Sequence, residues 1–273
     1  MGYEQILYSV ADHVATITLN RPDRMNAWTA RMEEEVSAAV HEAAADENAR
    51  VIVITGAGRG FCAGADMSLL STAAQSGLGA HRRITGDLPV ENGVPDQFRK
   101  KYAWLLSVPK PIVAAINGAS VGLGFVIPLY CDIRIASSAA RFSAIFSRRG
   151  LIAEYGVAWI LPRLVGLPAA IDLLFSSRMI DAAEAHRIGL VTRVLPEEGF
   201  AEAAQAFAKE LAQSVSPRSL RIMKKQIWEA QFQSLAESFD AAVVEMVASL
   251  QCEDFKEGVA HFLEKRAPAF TGR

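Results

Sequence analysis

Two glycine-rich segments are the strongest candidates for a chemical site. Residues 56–66 and 117–124 each follow a short apolar run, which predicts a strand that is buried on both faces. Small residues in such loops let a ligand approach the backbone N–H groups. If the two strands are parallel neighbours, one N–H from each loop can converge on a single oxygen, and a helix beginning near Gly124 directs its positive end to the same point. The predicted chemistry is an oxyanion hole, which stabilises an enolate as well as a tetrahedral intermediate.

The same glycines allow two other interpretations. Gly118-Ala119-Ser120-Val121-Gly122 has the form of a hydrolase nucleophile elbow, with Ser120 as the nucleophile and His261 as a late histidine. Against it, no His-Gly-Gly-type oxyanion motif precedes Ser120, and His261 lies within a helical pattern. The segment 56–60 follows a strand as a dinucleotide-binding loop does, but it lacks the G-x-G-x-x-G spacing, so a turn is favoured.

The elements around these loops follow from hydrophobic periodicity. Residues 6–19 alternate like a β-hairpin with its turn at Ala11-Asp12-His13, and Thr29 is placed to cap a helix. Residues 73–98 contain glycines, prolines and mixed charges without periodicity, which is typical of a lid or binding loop. Four amphipathic runs close the sequence, at 197–213, 217–231, 234–251 and 253–265. The pattern predicts an α/β core over residues 1–200 and a helical part over 201–273.

Composition excludes several classes of protein. The 273 residues are 51% hydrophobic and 21% charged, which excludes a disordered chain. The net charge of −2 gives no bulk attraction to nucleic acid or to anionic membranes. Three dispersed cysteines and five histidines show no metal-ligand spacing, so neither a metal site nor a disulfide framework is expected. No signal peptide or membrane span is expected, and the predicted compartment is the cytoplasm.

Several motifs together carry a resemblance to a known family. They are Leu19-Asn20-Arg21-Pro22 with Asn26-Ala27, Ile54-Thr55-Gly56, the run from Phe61 to Asp66, Lys110 to Gly118, Cys131 to Arg134, Ala185 to Val194, and 257–266. In these segments, and from about residue 15 to its end, the sequence resembles the enoyl-CoA hydratase/isomerase (crotonase) superfamily.

The resemblance implies a fold, a ligand and an assembly. The implied fold is α/β, a crotonase-like spiral of ββα turns with a C-terminal helical trimerisation domain. The implied substrate is an acyl-CoA thioester, with no cofactor beyond the coenzyme A that belongs to the substrate. The implied partner is a second copy of the chain, in a trimer or a dimer of trimers. By position, the oxyanion donors are the backbone N–H groups of Ala65 and Leu123, which makes Ser120 a turn residue.

The sequence departs from the hydratases of this superfamily at both of their catalytic glutamates. Those positions correspond here to Val126 and Phe146, neither of which can accept a proton. One carboxylate remains, Glu154, where the double-bond isomerases of the family carry a Glu or Asp. The sequence is most similar there to single-carboxylate isomerases such as the phenylacetate-pathway epoxy-CoA isomerase. The alternative is that Glu154 only caps or charges the first turn of a helix near 157–165.

The expected reaction is therefore an isomerisation. Glu154 would take a proton from the alpha carbon and return it at the gamma carbon, and an apolar setting would raise its pKa. Other enolate chemistry, such as weak hydration, hydrolysis or decarboxylation, stays open, as does a non-catalytic relative that binds CoA or RNA. The near-neutral charge argues against RNA, which a salt titration would test.

The resemblance also gives a set of substrate-binding positions. They are Arg24, Met25, Ala63, Gly64, Asp66, Gly122, Gly124, Val126, Phe146 and Lys265. Arg24 and Met25 follow the Asn-Arg-Pro element that contacts CoA in relatives, and Lys265 would reach a neighbouring subunit's CoA. A surface cation or a core methionine is an equal alternative for each of these three. Arg148 and Arg149 fit either a phosphate or a subunit interface.

Overall fold

The computed structural model describes residues 2–68, 71 and 95–273, and its strands form two sheets. The larger sheet contains, in spatial order, β1 (Ile6–Ala11), β2 (Val14–Leu19), β3 (Val51–Gly56), β5 (Ile112–Ile116), β7 (Ile133–Ser137) and β10 (Arg193–Leu195). The smaller contains β4 (Gly60–Cys62), β6 (Ala119–Val121), β8 (Arg141–Ser143) and β9 (Ile180–Asp181). All pairs are parallel except β1 with β2 and β8 with β9.

The helices lie between and after these strands. They are α1 (Ala30–Ala45), α2 (Leu123–Leu129), α3 (Val157–Val165), α4 (Leu167–Ser176), α5 (Ala182–Arg187), α6 (Phe200–Ser214), α7 (Pro217–Glu229), α8 (Leu235–Leu250) and α9 (Glu253–Glu264). The chain runs β5-β6-α2 and then β7-β8-α3, so a strand of the large sheet is followed by a strand of the small sheet and a helix. This alternation confirms the expected α/β spiral of ββα turns.

Local signals in the sequence fix the start of the fold. The hairpin turn falls at Asp12 and His13, which both adopt the positive φ that a tight two-residue turn requires. The Thr29 hydroxyl oxygen accepts the backbone N–H of Met32 at 3.0 Å and so caps α1, as predicted.

A separate apolar cluster joins α6 to the large sheet. Phe200, Ala204, Ala208 and Ala212 recur at every fourth position, and they pack on apolar side chains of that sheet, including Val53. The first helix after residue 200 therefore covers one face of the sheet. The division at this residue stays a prediction.

An ion pair between a buried lysine and a partly buried aspartate connects α7 to the core. Lys224 Nζ lies 2.7 Å from Asp132 Oδ2 and also donates to the carbonyl oxygens of Leu105 and Lys110. Asp132 in turn accepts the backbone N–H of Ile112 at 2.7 Å, so the pair links a helix, a strand and a loop.

The last two helices expose apolar side chains. In α8 no side chain is buried, and the exposed ones include Leu235, Phe239, Val244, Met246 and Leu250. Phe262 and Leu263 on α9 are also exposed. None of the helices within residues 2–68 and 95–273 combines the length and apolar character needed to span a membrane.

Candidate active site

The two glycine-rich loops lie at the same edge of the sheets, as the sequence predicts. Strands β3 and β5 are parallel neighbours, with Thr55 opposite Ala115 at their ends. The strands that follow them, β4 and β6, are again parallel and paired, with Cys62 opposite Ser120. Because neighbouring parallel strands end at one edge, the segments that leave β4 and β6 begin side by side.

These segments touch through their backbones. A Cβ atom on Gly64, where φ is +107°, would lie 3.1 Å from the Val121 carbonyl oxygen. A Cβ on Gly124 would lie only 2.0 Å from the Cys62 carbonyl oxygen, closer than any real contact. Glycine is therefore required at Gly124 for the close approach of the loops.

The two amides that the resemblance assigns to the oxyanion hole have no hydrogen-bond acceptor among the residues that the structure describes. Trp28 forms a parallel bridge with Ala65, in which Trp28 N–H donates to Gly64 at 2.7 Å and Asp66 N–H donates to Trp28 at 2.8 Å. This leaves the N–H of Ala65 without an acceptor in the described part of the chain. The same holds for Leu123, the first residue of α2.

Glu154 lies in the loop before α3 and is half-buried. Burial raises the pKa of its carboxyl. Within residues 2–68 and 95–273, the carboxylate takes part in no ion pair or hydrogen bond. The N-cap of α3 is Gly156, and no side chain caps this helix. The carboxylate is thus not used as a helix cap.

Aromatic residues fix the Glu154 loop against α2. The Tyr130 hydroxyl, just after α2, donates to the Tyr155 carbonyl oxygen. A Cβ on Gly156 would lie 2.7 Å from the same hydroxyl. The Tyr155 ring meets the Tyr102 ring edge to face, with centroids 5.2 Å apart. The short helix that begins at Leu123 therefore also positions the carboxylate loop.

The positions of the two hydratase glutamates are apolar and buried. Val126 lies one turn after Leu123 in α2 and has no exposed surface, and Phe146 is 4% exposed. Ile145, next to Phe146, would contact a Cβ on Gly122 through its Cγ2 at 3.4 Å. Neither position provides a group that can bind or activate water.

Two of the expected CoA-binding residues, Asp66 and Met25, form hydrogen bonds within the protein. Asp66 pairs with Arg21 at 2.9 Å, and hydrogen bonds from the Ser68 N–H and hydroxyl, with the Arg21 guanidinium, lower its pKa to about 2. The Sδ atom of Met25 lies 3.2 Å from Arg59 Nε, which donates to it. The Met25 carbonyl oxygen accepts the N–H of Ala63 at 3.0 Å.

The remaining cations lie on the surface. Arg24 is exposed at the end of a 3-10 helix, Pro22–Arg24, near the Ala65 loop, and Lys265 is exposed at the C-cap of α9. Arg148 and Arg149 lie in another 3-10 helix, where Arg148 Nε donates to the Ser176 carbonyl oxygen at 3.2 Å.

The structure does not bring together the residues of a hydrolase site or of a dinucleotide-binding site. Ser120 is fully buried and its hydroxyl donates to the Gly124 carbonyl oxygen at 2.7 Å, while His261 lies partly buried on α9, where its ring meets that of Phe270. The segment 56–60 connects β3 to β4 rather than to a helix. Most of the expected lid, 73–98, lies outside the described residues, and its end forms the 3-10 helix Asp96–Phe98. Among the described residues, no cluster of His, Cys, Asp and Glu could hold a metal ion.

Sequence reasoning missed the aromatic residues of the site. Trp28, Tyr102, Tyr130 and Tyr155 come from four separate segments, and only folding brings them together. Two of them also have an unusual backbone conformation. Tyr102 and Tyr155 have φ values of 63° and 51°, which are rare for residues with a Cβ.

Comparison with known proteins shows the family to which the chain belongs. The family described as enoyl-CoA hydratase/isomerase matches residues 9–273. A probable enoyl-CoA hydratase of Rhodobacter capsulatus is 37% identical, with complete coverage of both chains. The 1,2-epoxyphenylacetyl-CoA isomerase of Escherichia coli is 34% identical over 99% of each. A crystal structure of an enoyl-CoA hydratase from Bacillus anthracis superposes with a TM-score of 0.88 at 29% identity, covering 99% of this chain and 100% of that one. The chain is an enzyme of the enoyl-CoA hydratase/isomerase family.

Proposed function

We propose that this enzyme is an acyl-CoA isomerase that shifts a carbon–carbon double bond with one carboxylate. The observation that carries the proposal is the state of Glu154. It is half-buried, its pKa is raised, and it has no ion-pair partner among the described residues. A neighbouring cation would lower the proton affinity of the carboxylate. Without one, the carboxylate is available as a general base.

The proposed reaction begins with the thioester carbonyl oxygen. That oxygen accepts hydrogen bonds from the backbone N–H groups of Ala65 and Leu123, which stabilise the negative charge that develops on it. Glu154 removes a proton from the alpha carbon of a β,γ-unsaturated thioester, and the C–H electron pair enters a dienolate. The protonated Glu154 then returns the proton to the gamma carbon. The double bond moves into conjugation, and the atoms of the substrate are conserved.

The apolar residues at the two hydratase positions support isomerisation over hydration. Hydration requires a group that holds and activates a water molecule beside the double bond. Val126 and Phe146 occupy the two positions that provide such groups in hydratases, and both are buried and apolar. Apolar side chains at these positions also protect a dienolate from protonation by solvent.

The relatives' names include both activities, so the argument rests on the residues rather than on the names. The relative from Rhodobacter capsulatus is named a probable hydratase and the one from Escherichia coli an isomerase. Hydration by Glu154 alone is the second candidate, because one free carboxylate could activate water if water entered.

The test is incubation with matched β,γ- and α,β-unsaturated acyl-CoA thioesters, followed by chromatographic separation of the isomers and mass measurement of each product. We expect the first to give an isomer of unchanged mass and the second to gain no water. In Glu154→Gln, we expect turnover to fall at least about 100-fold while binding of a saturated acyl-CoA is retained. Glu42→Gln, which changes an exposed glutamate on α1, is the control. Water addition as the main reaction, or full turnover in Glu154→Gln, would refute the proposal.

We also propose that the chain self-associates through its C-terminal helices. Support comes from the exposed apolar side chains of α8 and α9, since a contiguous apolar surface favours association. Arg24 and Lys265 are then available for coenzyme A, the latter in a neighbouring subunit. Sedimentation equilibrium tests the assembly, and we expect a mass that is a multiple of three protomers. A monomer at micromolar concentration would contradict it.

A further inference from the structure

A buried arginine, Arg134, lies against the helix that begins with Leu123. It belongs to β7 and is 5% exposed. In the part of the chain that the structure describes, Arg134 forms no ion pair. Burial lowers the pKa of its guanidinium, yet arginine keeps its charge in proteins. A buried charge without a counterion destabilises a fold, so its presence here requires an explanation.

The hydrogen bonds of Arg134 converge on the end of α2. Its Nη1 atom donates to the carbonyl oxygen of Cys131 at 2.7 Å and to that of Pro128 at 3.4 Å. Its Nε atom donates to the Leu190 carbonyl oxygen at 2.8 Å. Pro128 belongs to the last turn of α2, and Cys131 follows shortly after that helix. Carbonyl groups at the end of a helix carry partial negative charge, so they are suited to hold this cation.

Arg134 thus fixes the opposite end of the helix that carries a proposed oxyanion donor. Every residue of α2 after Leu123 is buried, and a closely packed interior leaves a helix little room to shift. Arg134 itself is held in the large sheet, where it lies opposite Ala114 of β5. Its hydrogen bonds therefore connect the end of α2 to the sheet, and the position of the Leu123 N–H should depend on this connection.

The groups around Arg134 leave its positive charge uncompensated. Asp132 precedes it by two residues but is paired with Lys224 at 2.7 Å, so these two charges cancel. Burial raises the pKa of the Cys131 thiol to about 12, so the thiol is neutral. Apolar side chains line the space beside the guanidinium, and they include Phe125, Leu129 and Phe142.

The distance along α2 decides how strongly this charge can act on the site. With a rise of about 1.5 Å per residue, the guanidinium lies roughly 12 Å from the Leu123 nitrogen and about 15 Å from an oxygen bound there. At an effective dielectric constant of about 20, a unit charge at that separation stabilises a developing negative charge enough to change the rate roughly fivefold. Arg134 can therefore influence the reaction although it does not touch the substrate.

We propose that Arg134 is a positioning residue of the oxyanion hole, which holds the end of α2 and adds positive potential where the thioester oxygen becomes negative. The inference rests on the proposed function in taking the Leu123 N–H as an oxyanion donor. It does not depend on Glu154 or on the carbon to which the proton is returned. A positive potential acts most strongly on the enolate, so Arg134 lowers the barrier to proton removal more than it strengthens substrate binding.

The test measures the effect of the charge at the thioester oxygen. Hexanoyl-CoA labelled with carbon-13 at the thioester carbonyl is bound to the enzyme, and infrared difference spectroscopy records its carbonyl stretching frequency. Hydrogen bonds and positive potential weaken the C=O bond, so the frequency should be lower on the enzyme than in water. Arg134→Gln removes the charge but keeps an amide donor, and we expect it to lose part of this downshift. Its kcat should fall roughly fivefold, while the affinity for hexanoyl-CoA changes less than about twofold.

Arg134→Lys is the conservative variant, because it keeps both a charge and a donor. At pH 6, which favours protonation of a buried lysine, it should keep most of the downshift and of kcat. Arg50→Met is the matched control, since Arg50 also donates to two backbone carbonyl oxygens, those of Ala212 in α6 and of Phe270. It should lower stability without changing the frequency. Arg134→Met is a second neutral variant in case Arg134→Gln does not fold, because apolar residues often replace buried charges without loss of stability.

The possible results separate this inference from the proposed function. A wild-type frequency in the neutral variants would overturn the inference and leave the proposed oxyanion hole unaffected. Equal losses in Arg134→Lys and Arg134→Gln would also overturn it, since the charge would then have no role. A bound frequency in the wild type that is no lower than in water would overturn both proposals. A downshift that depends on Arg134, without isomerase activity, would refute only the proposed function.

Discussion

The hydroxyl of Tyr130 donates a hydrogen bond to the backbone carbonyl oxygen of Tyr155. Tyr130 follows α2, the helix that begins with Leu123, and Tyr155 follows Glu154. One short helix is therefore connected at its start to a proposed oxyanion donor and at its end to the loop of the proposed base. We expect the distance between the proposed oxyanion donor and the proposed base to depend on this contact, because it connects α2 to the residue that follows Glu154.

Replacing Tyr130 with Phe should loosen the Glu154 loop. We expect kcat to fall about tenfold and the affinity for a saturated acyl-CoA to stay unchanged, because the backbone donors are not affected. Steady-state kinetics and calorimetry separate the two effects. Tyr3→Phe, which removes the hydroxyl that donates to Glu42 on the surface, should change neither. A loss confined to affinity would show that Tyr130 does not position the base.

The raised pKa of Glu154 predicts an acid limb in the activity profile. Only the ionised carboxylate can accept the alpha proton, so kcat/KM should fall as pH decreases through this pKa. The midpoint should lie above the value of about 4.3 for an unperturbed glutamate. A profile that stays flat down to that value would contradict the assignment.

The contribution of Glu154 to the stability of the folded protein should decrease as pH rises, whereas its contribution to activity should increase. Because the pKa of Glu154 is higher in the folded than in the unfolded state, its contribution is most favourable below the unfolded value and is lost as pH rises through the folded value. Glu154→Gln should therefore unfold at a higher temperature than the wild type near neutral pH. The difference should disappear in acid, which thermal unfolding measured at both pH values will show.

Breaking the ion pair of α7 should destabilise the enzyme. Lys224→Met leaves the partly buried carboxylate of Asp132 without its cation and removes two hydrogen bonds to carbonyl oxygens. The expected loss in the free energy of unfolding is about 3 kcal/mol. The control is Lys225→Met, an exposed lysine on the same helix, which should change stability by less than about 0.5 kcal/mol. Denaturant unfolding at equal protomer concentration measures both, and similar losses would contradict the prediction.

Adding one methyl group at Gly124 should separate the two loops. The new Cβ would lie 2.0 Å from the Cys62 carbonyl oxygen, so Gly124→Ala should lower the free energy of unfolding by at least about 2 kcal/mol. It should also slow exchange of the alpha protons of a bound thioester with deuterated solvent. Gly258→Ala, in α9, has its nearest contact at 3.9 Å and should be neutral or slightly stabilising. Wild-type exchange in Gly124→Ala would contradict the proposed oxyanion hole.

Local chemistry made much of this fold predictable. Residues close together in the sequence specify the Asp12-His13 turn, the Thr29 cap and the buried strands β3 and β5. Parallel pairing of these strands then places both glycine-rich loops at one edge of the sheets. The strands of the small sheet, of two or three residues each, are too short to show a period of two. The Lys224–Asp132 pair and the meeting of Trp28 with Tyr102 join segments far apart in the chain, so no local pattern specifies them.

The most direct test of the catalytic geometry is a crystal structure of Glu154→Gln with a β,γ-unsaturated acyl-CoA bound. We expect the thioester carbonyl oxygen to lie about 3 Å from the backbone nitrogens of both Ala65 and Leu123. The side chain of residue 154 should face the alpha and gamma carbons. A thioester oxygen that contacts neither amide, or a residue 154 that points into solvent in every subunit, would contradict the proposed mechanism.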